Sequence, residues 1–448
     1  MSAVSELSPS AQAPQVTHHG TKLKWWLAAG LVGADIGTSV FYSTGVLYPH
    51  VGFLAPYFIT IVVIALWLFK IAYQEGCAVS PLNGGAYTMV LQTVGRRAAL
   101  VVGSLTILSY LATAVVSALS GAIYVSTLSP GGWPTWLIVM VAALPIVGFA
   151  ALNLLGLKES TKVVFAISAF HFGMLIVMDV VGLYLAFTHG AHWERLTTGF
   201  GALSTHAVLM AFASAFLGIT GFESAAQIIE EIEQPSWKAI SKIYLTIVLL
   251  VSFTSPISSM LCLVLLSDAD IETYKAAFLS GLAVYEGGSM MLYLLVANAC
   301  LTLFAAVNTA YAGATGLMTT MGKQGNLPAV VLRQWAGWHP SLKGYPYVAL
   351  SFMALCLVML VVFPGAVDRL GEVYGLAFLS VMICYCAGVV LLRFHQPAKV
   401  ARSPYVSGWT LRWKDRALPI APLLGCLILT AAELILFTTA HSARDLGL

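Results

Sequence analysis

The chain has 448 residues, of which 9% are charged and 59% apolar, and its mean hydropathy is +0.87. A soluble domain carries roughly 25% charged residues, so this composition excludes a protein that meets water on all sides. Repeated apolar runs of ~20 residues instead give an all-α polytopic membrane protein, and the net charge of +3 gives no reason to expect a nucleic-acid partner.

Residues 1–20 are polar and hold Ser, Pro and His without a basic start before a short apolar core. They read as a disordered cytoplasmic tail, not a cleaved signal. Eleven spans follow, at 25–46, 53–76, 98–128, 134–155, 163–187, 205–229, 240–266, 288–320, 346–363, 371–393 and 417–438. Alternating the connecting loops from a cytoplasmic N-terminus puts 18 of the 22 basic residues inside, leaving Arg195, Lys275, Arg369 and Arg444 outside. That partition is the one the positive-inside rule requires, and it suits a cell membrane, either inner or plasma. Residues 21–394 read as the core and 395–448 as a basic cytoplasmic loop with the final span. The six basic residues from Arg393 to Arg416 suit an ordinary inside loop better than a headgroup-binding patch.

The first span carries Gly33-Ala-Asp-Ile-Gly-Thr-Ser39. Gly33 and Gly37 form a small-xxx-small pair for close helix packing, but packing does not explain Asp35. A carboxylate at mid-helix costs about 2.5–3.5 kcal/mol on insertion scales. Beside weak helix formers it points to unwound backbone lining a polar cavity. The sixth span repeats the pattern: Gly218 and Gly221 flank Thr220, and Glu223 follows. These spans are five apart and run in opposite senses. Interrupted helices in corresponding places of two inverted halves are the sequence pointer to a transporter site at the midplane.

Five stretches carry a family resemblance: "DIGTSVFY" in span one, "SPLNGGAYTMVLQTVGR" from Ser80, "NLLGLKESTK" from Asn153, "GFESAAQIIEEIEQP" from Gly221 and "NTAYAGATGLMTTMGKQGNLP" from Asn308. In this order they resemble the amino acid–polyamine–organocation (APC) superfamily. The resemblance implies a leucine-transporter (LeuT) type fold, a 5+5 inverted repeat over 25–187 and 205–393 with discontinuous helices one and six. Many members have twelve spans, whereas eleven are read here, which would leave the C-terminus outside.

The resemblance also implies a substrate site at Asp35, Ile36, Gly37, Thr38, Ser39, Tyr42, Ser109, Thr113, Ser117, Gly218, Thr220, Gly221 and Glu223. Two substrate classes follow. "GFE" and the acidic loop "EEIEQP" read like amino-acid permeases, in which amides of helix one bind a carboxylate and carbonyls of helix six take the amino group. Asp35 would then face an ammonium. "GADIGTSVFY" is closer to KUP-type potassium uptake proteins and to KimA-type transporters, which would place Asp35, Tyr42, Thr113, Ser117 and Thr220 around K+. The KimA-type pattern has a second Asp, in helix three, and the corresponding position here is Ser109. The organic substrate is preferred.

For coupling, Lys162 at the start of span five matches a lysine that in some proton-coupled members fills a sodium position against helices one and eight. Asp35 and Glu223 are the alternative proton carriers. Lys158 reads as an interfacial anchor. Among lesser residues, His171 and Asp179 share a face of span five and are placed to bond neighbouring helices. Tyr311 and Asn308 are open between site and packing, Glu433 serves packing or assembly, and Glu75 is placed for a pair with a basic residue. The seven cysteines show no zinc spacing and read as packing residues. No catalytic constellation stands out, with neither His-Glu-x-x-His nor Gly-x-Ser-x-Gly present, so an enzyme, a cofactor and a bound metal are not expected. A channel or a transporter-derived receptor is the remaining rival.

Overall fold

The computed structural model describes residues 22–156, 160–201, 203–336, 343–413 and 416–439. The expected tail at 1–20, Lys158, Lys414 and Arg444 lie outside them. Sixteen α-helices run in chain order: α1 Trp25–Gly37, α2 Val40–Val51, α3 Ala55–Val79, α4 Gly85–Thr93, α5 Arg96–Ser126, α6 Thr135–Leu154, α7 Thr161–Thr188, α8 Thr205–Ala215, α9 Ser224–Gln227, α10 Ser236–Leu265, α11 Asp268–Tyr274, α12 Phe278–Lys323, α13 Pro346–Val362, α14 Val367–His395, α15 Pro397–Ala401 and α16 Ile420–Thr439. Two short antiparallel hairpins complete it, pairing Trp335–Ala336 with Lys343–Gly344 and Thr410–Trp413 with Arg416–Pro419.

Among the described residues, eight helical stretches are long and apolar enough to cross a bilayer: Trp25–Val79, Arg96–Ser126, Thr135–Leu154, Thr161–Thr188, Ser236–Leu265, Phe278–Lys323, Arg369–His395 and Ile420–Thr439. Thr205–Ile219 and Pro346–Val362 are shorter apolar helices. The 55-residue first stretch is much longer than the ~20 residues one crossing needs. It turns at Gly52, whose φ of 54° a side-chain-bearing residue adopts only with strain. Long α12 is likewise two helical pieces meeting at Gly287 and Gly288, the latter at φ 61° and ψ −150°. The second piece starts where the apolar run of span eight begins.

The helices form one buried core. α12 lies along α5, α1 along α7, α10 along α3, and α14 against α5 and α16. The α1–α7 seam is made of small residues. A Cβ on Gly30 would meet Phe165 at 2.6 Å, one on Gly33 would meet Ser168 Oγ at 2.7 Å, and one on Gly37 would meet His171 at 2.7 Å. The close-packing role of Gly33 and Gly37 is therefore real, as small residues let helix backbones approach. Two elements depart from expectation. The short helix α4 precedes α5 in the stretch between the second and third expected spans, for which no element was read. The 395–416 stretch holds α15 and the start of a hairpin instead of plain loop.

Candidate substrate site

The break in the sixth expected span is deep. After α8 the chain tightens into a 3₁₀ turn at Phe216–Ile219, Thr220 is extended at φ −60° and ψ 143°, and Gly221 is left-handed at φ 92°. Helix resumes only at Ser224. Gly221 is there because nothing else fits. An added Cβ would stand 2.8 Å from Ile36 N and 2.9 Å from Asp35 C. The broken segment thus lies on the α1 backbone at Asp35. Aromatic packing anchors its far side, with Phe222 5.3 Å from Tyr73 and 4.6 Å from Tyr244 between ring centroids.

The break in the first span is shallow, which corrects the expectation of unwound backbone there. Only Thr38 and Ser39 separate α1 from α2, and both keep right-handed helical dihedrals. The amide N–H groups of Thr38 and Ser39 donate to the carbonyls of Asp35 (3.3 Å) and Ile36 (3.2 Å), and those of Phe41 and Tyr42 donate to Thr38 (3.1 Å) and Ser39 (3.3 Å). These are 3₁₀-type bonds, which tighten a helix without freeing its donors. The amides expected to meet a substrate carboxylate are therefore already taken. Hydroxyls explain the geometry: Thr38 Oγ1 donates to Asp35 O at 2.7 Å, and Ser39 Oγ lies 2.7 Å from the carbonyls of both Ile36 and Gly218.

Most of the expected residues come together around this contact. Ser224 donates its hydroxyl to the Asp35 carboxylate. Tyr42 Oη and Thr220 Oγ1 are 2.9 Å apart, with Thr220 donating to Leu217 O at 3.0 Å. Asp35, Thr220 and Glu223 are buried, and Glu223 Oε2 has no hydrogen-bond partner. Among the described residues no lysine, arginine or histidine forms a salt bridge with either carboxylate. On α5, Ser109, Thr113 and Ser117 are buried at successive turns of one face. Thr113 reaches the site through Tyr374 of α14, to whose hydroxyl it donates at 2.8 Å.

Lys162 does not join them. Its side chain is exposed and borders an outward groove with Val163, Ile167, Phe170 and Leu301. The reason is where α7 meets α1. The contact runs through Phe165, Ser168, His171 and Phe172, so the residue set against Gly37 and α12 is His171, whose Nδ1 is 2.9 Å from Asn298 Oδ1. Tyr311 and Asn308 serve packing, through Tyr311 Oη to Ile146 O at 2.9 Å and Asn153 Nδ2 to Asn308 Oδ1 at 3.3 Å. Ser380 donates to Glu433, joining α14 to α16.

Sequence reasoning missed Ser224 and Tyr374, whereas His171 bonds a neighbouring helix as expected. Ser224 had a signal, since it stands directly after Glu223 at the start of resumed helix. Tyr374 had none, because nothing local marks a tyrosine that a distant helix carries into the site. Among the described residues, no cluster of three or more His, Cys, Asp or Glu is set to hold a metal ion.

The acidic loop after the break ties the two interrupted helices together. Leu23 N donates to Glu231 O and Glu233 N to Leu23 O, both at 2.8 Å, and Trp25 N donates to a Glu233 carboxylate oxygen at 3.1 Å. With this geometry, the model of the Amino acid permease family matches residues 23–443. The chain belongs to that family. Among curated relatives of this permease, "Cationic amino acid transporter 2, vacuolar" of Arabidopsis thaliana is 27% identical over 315 residues, 67% of this chain and 49% of the relative. "Cationic amino acid transporter 7, chloroplastic" of the same plant is 25% identical over 95% of this chain and 71% of the relative. "Potassium transporter KimA" of Bacillus subtilis (strain 168) is 27% identical over 48% of this chain and 36% of that protein. The permease thus spans about half the length of the first of these relatives. Among solved structures, the Eremococcus coleocola manganese transporter superposes with a TM-score of 0.56 at 14% identity, over 94% of this chain and 88% of that one. At that identity the likeness establishes a shared fold.

Proposed function

We propose that this permease is a secondary active transporter that carries a cationic amino acid or an amine across the cell membrane by alternating access, in symport with protons. One observation carries the substrate class. Asp35 is buried against the left-handed turn at Gly221, receives a hydroxyl hydrogen bond from Ser224 and has no basic partner among the described residues. A carboxylate in a low-dielectric site calls for a positive charge, and an ammonium group supplies one together with N–H donors for the carboxylate oxygens. Two relatives named as cationic amino acid transporters support the same class.

In this reading the chain makes eleven crossings with its N-terminus in the cytoplasm, and its first ten form two inverted five-helix halves. Residues 21–394 are the core and 395–448 an accessory segment. The bundle containing α1 and the α8–α9 break rocks against a scaffold of α5, α6, α12 and α13. The pairing of Leu23 with 231–233 keeps the two interrupted helices moving as one. Asp35 and Glu223 are the proton carriers. Lys162 is not assigned that part, because its exposed position sets it apart from both.

A second reading, proton-coupled potassium uptake, draws on the KimA relative and on the hydroxyls of Tyr42, Thr113, Ser117 and Thr220 that the resemblance would set around K+ with Asp35. It requires these hydroxyls to exchange the bonds they now make with Thr220 and Tyr374 for bonds to K+. The test is purified permease in liposomes with an internal pH dye. Proton entry driven by arginine, lysine or a diamine supports the proposal. Entry driven by potassium alone replaces it with the second reading.

A further inference from the structure

The short helix α4 touches both bodies that the proposed cycle moves. On the side of the broken span, Glu230 N donates to Asn83 Oδ1 at 2.9 Å just before α4, and a Cβ on Gly85 would meet Gln227 Nε2 at 2.8 Å. On the side of the scaffold, Tyr87 Oη accepts from Asn326 Nδ2 at 2.8 Å, just beyond the end of α12. Rocking one body against the other must therefore part α4 from one of them. A cavity of about 10 Å³, the room of a single water molecule, already lies at the first contact. It is lined by Cys77 of α3, Thr88 and Met89 of α4, Ala226 of α9 and Tyr385 of α14. Two rings separate it from the broken segment: Tyr385 stacks on Tyr73 with centroids 3.9 Å apart, and Tyr73 packs on Phe222. Cys77 is only 2% exposed, so this gap is sealed.

The chain beyond α14 holds the other end of α4. His395 Nδ1 donates to Thr93 O at 3.0 Å, Gln396 Nε2 donates to Gln92 O at 2.9 Å, and Lys399 Nζ donates to Gln92 Oε1 at 2.6 Å. Gln92 and Thr93 close α4, and the last carbonyls of a helix have no partner within it. Donors from 395–396 satisfy two of them, and an ammonium suits the negative end of the helix dipole. The Gln92 side chain also reaches α3, since its Nε2 donates to Ser80 Oγ at 2.8 Å. One side chain thus joins the end of α3, the end of α4 and α15, and Lys399 supplies the charge-assisted bond, the stronger kind. Among the described residues Lys399 forms no salt bridge.

We propose that His395, Gln396 and Lys399 are a latch that keeps α4 seated over the cavity at Cys77, and that Lys399 must leave Gln92 before this side of the permease opens. The inference rests on the rocking motion and topology proposed above, which make this face cytoplasmic. It gives the segment between α14 and α16 a part in the cycle without any contact to what is carried. The latch acts on α4 from outside, at the helix end opposite to the contacts with Gln227 and Glu230. Its three bonds can therefore break while the broken span stays in place, and α4 is then held on that side only by Asn83 and Gly85.

The test is thiol labelling of the purified permease with a polar maleimide, read at the Cys77 peptide by mass spectrometry. Lys399→Met raises the Cys77 rate about ten-fold, the equivalent of one charge-assisted hydrogen bond lost from the closed state. Gln92→Leu, which also frees Ser80, raises it at least as much. If Gln92→Leu does not fold, Gln396→Leu takes its place with a rise of about three-fold or more, as for one neutral bond. Arg402→Met removes an exposed charge of the same segment and leaves the rate unchanged. Cys262, fully buried in α10, reports general loosening and keeps its wild-type rate throughout. An unchanged Cys77 rate in the latch variants, a rise matched at Cys262, or an equal rise in Arg402→Met overturns the proposal. Labelling needs no substrate, so a permease that carries no cation into liposomes fails the transport reading alone.

Discussion

Arg393 grips Glu75 with two hydrogen bonds, Nε to Oε1 at 2.7 Å and a terminal guanidinium nitrogen to Oε2 at 2.8 Å. The Glu75 side chain is 1% exposed and that of Arg393 7%. The pair joins the end of α3 to the end of α14, and it also holds the chain beyond. Arg393 donates to Ser407 O at 3.2 Å, and Ser407 N donates to Glu75 Oε2 at 3.2 Å. The sequence placed Glu75 near the inner surface but gave no reason to choose among several basic residues as its partner.

A buried pair of this kind is far more sensitive to losing one member than to losing both, because a single deletion strands a charge without solvent. Arg393→Met is therefore expected to destabilise the permease by about 3–5 kcal/mol. Glu75→Met combined with Arg393→Met should recover most of that loss. Unfolding of the purified variants in detergent checks both. A double variant no more stable than Arg393→Met would remove the stranded charge as the explanation.

Gly221 and Gly218 look alike in sequence and differ in the structure. Gly221 has φ 92° and no room for a Cβ beside Ile36 N, whereas the one neighbour of a Cβ on Gly218 is Ser43 Cβ at 3.7 Å. Gly221→Ala is expected to push the broken segment off α1 and abolish uptake, with a backbone-strain cost of about 1–3 kcal/mol. Gly218→Ala should fold and transport nearly normally. Parallel uptake and melting measurements decide it, and equal damage at both positions would contradict this distinction.

Gly37 tests the seam between α1 and α7. A Cβ there would meet His171 Cδ2 at 2.7 Å and Nε2 at 2.8 Å, an overpacking that typically costs about 1–3 kcal/mol. Removing the ring should relieve it, so Gly37→Ala with His171→Ala is expected to be more stable than the sum of the two single losses predicts. Residues in direct contact show such non-additivity. Strict additivity in a double-mutant cycle would mean that the ring and the added methyl never meet.

These pairs show what local sequence carries. The membrane class followed from apolar run lengths, and the broken sixth span from Gly218, Thr220 and Gly221 beside a carboxylate, because lipid tolerates such residues only around a cavity. The shallow first break was not legible. Thr38 and Ser39 return their hydroxyls to carbonyls one turn back, so the same Gly-rich string that suggests unwinding is compatible with near-continuous helix. Lys162 failed for another reason. A one-residue step turns a helical side chain by 100°, so ranking neighbours on α7 needs the packing partner, and that is fixed by Gly33 and Gly37 one span group away. Tyr374 and Arg393 met their partners only through tertiary packing.

Asp35 and Ser224 set the expected energetics of transport. Asp35→Asn keeps the size of the side chain and can still accept from Ser224, so the protein should fold and reach the membrane. Under the proposed function it removes the charge that would face a cationic substrate in an enclosed site, where losing one member of a charge pair costs about 3–5 kcal/mol. Uptake per molecule should fall by about 10²-fold to several thousand-fold. Ser224→Ala leaves the charge and removes one hydrogen bond to it, worth about 1.5–3 kcal/mol, so a smaller loss of about 10–100-fold is expected, expressed mainly in KM. Uptake of a radiolabelled cationic amino acid into proteoliposomes, normalised to protein inserted, measures both. Wild-type rates in Asp35→Asn would show that the carboxylate does not face the substrate. A loss in Ser224→Ala equal to that in Asp35→Asn would instead mean that the hydroxyl itself binds what is carried.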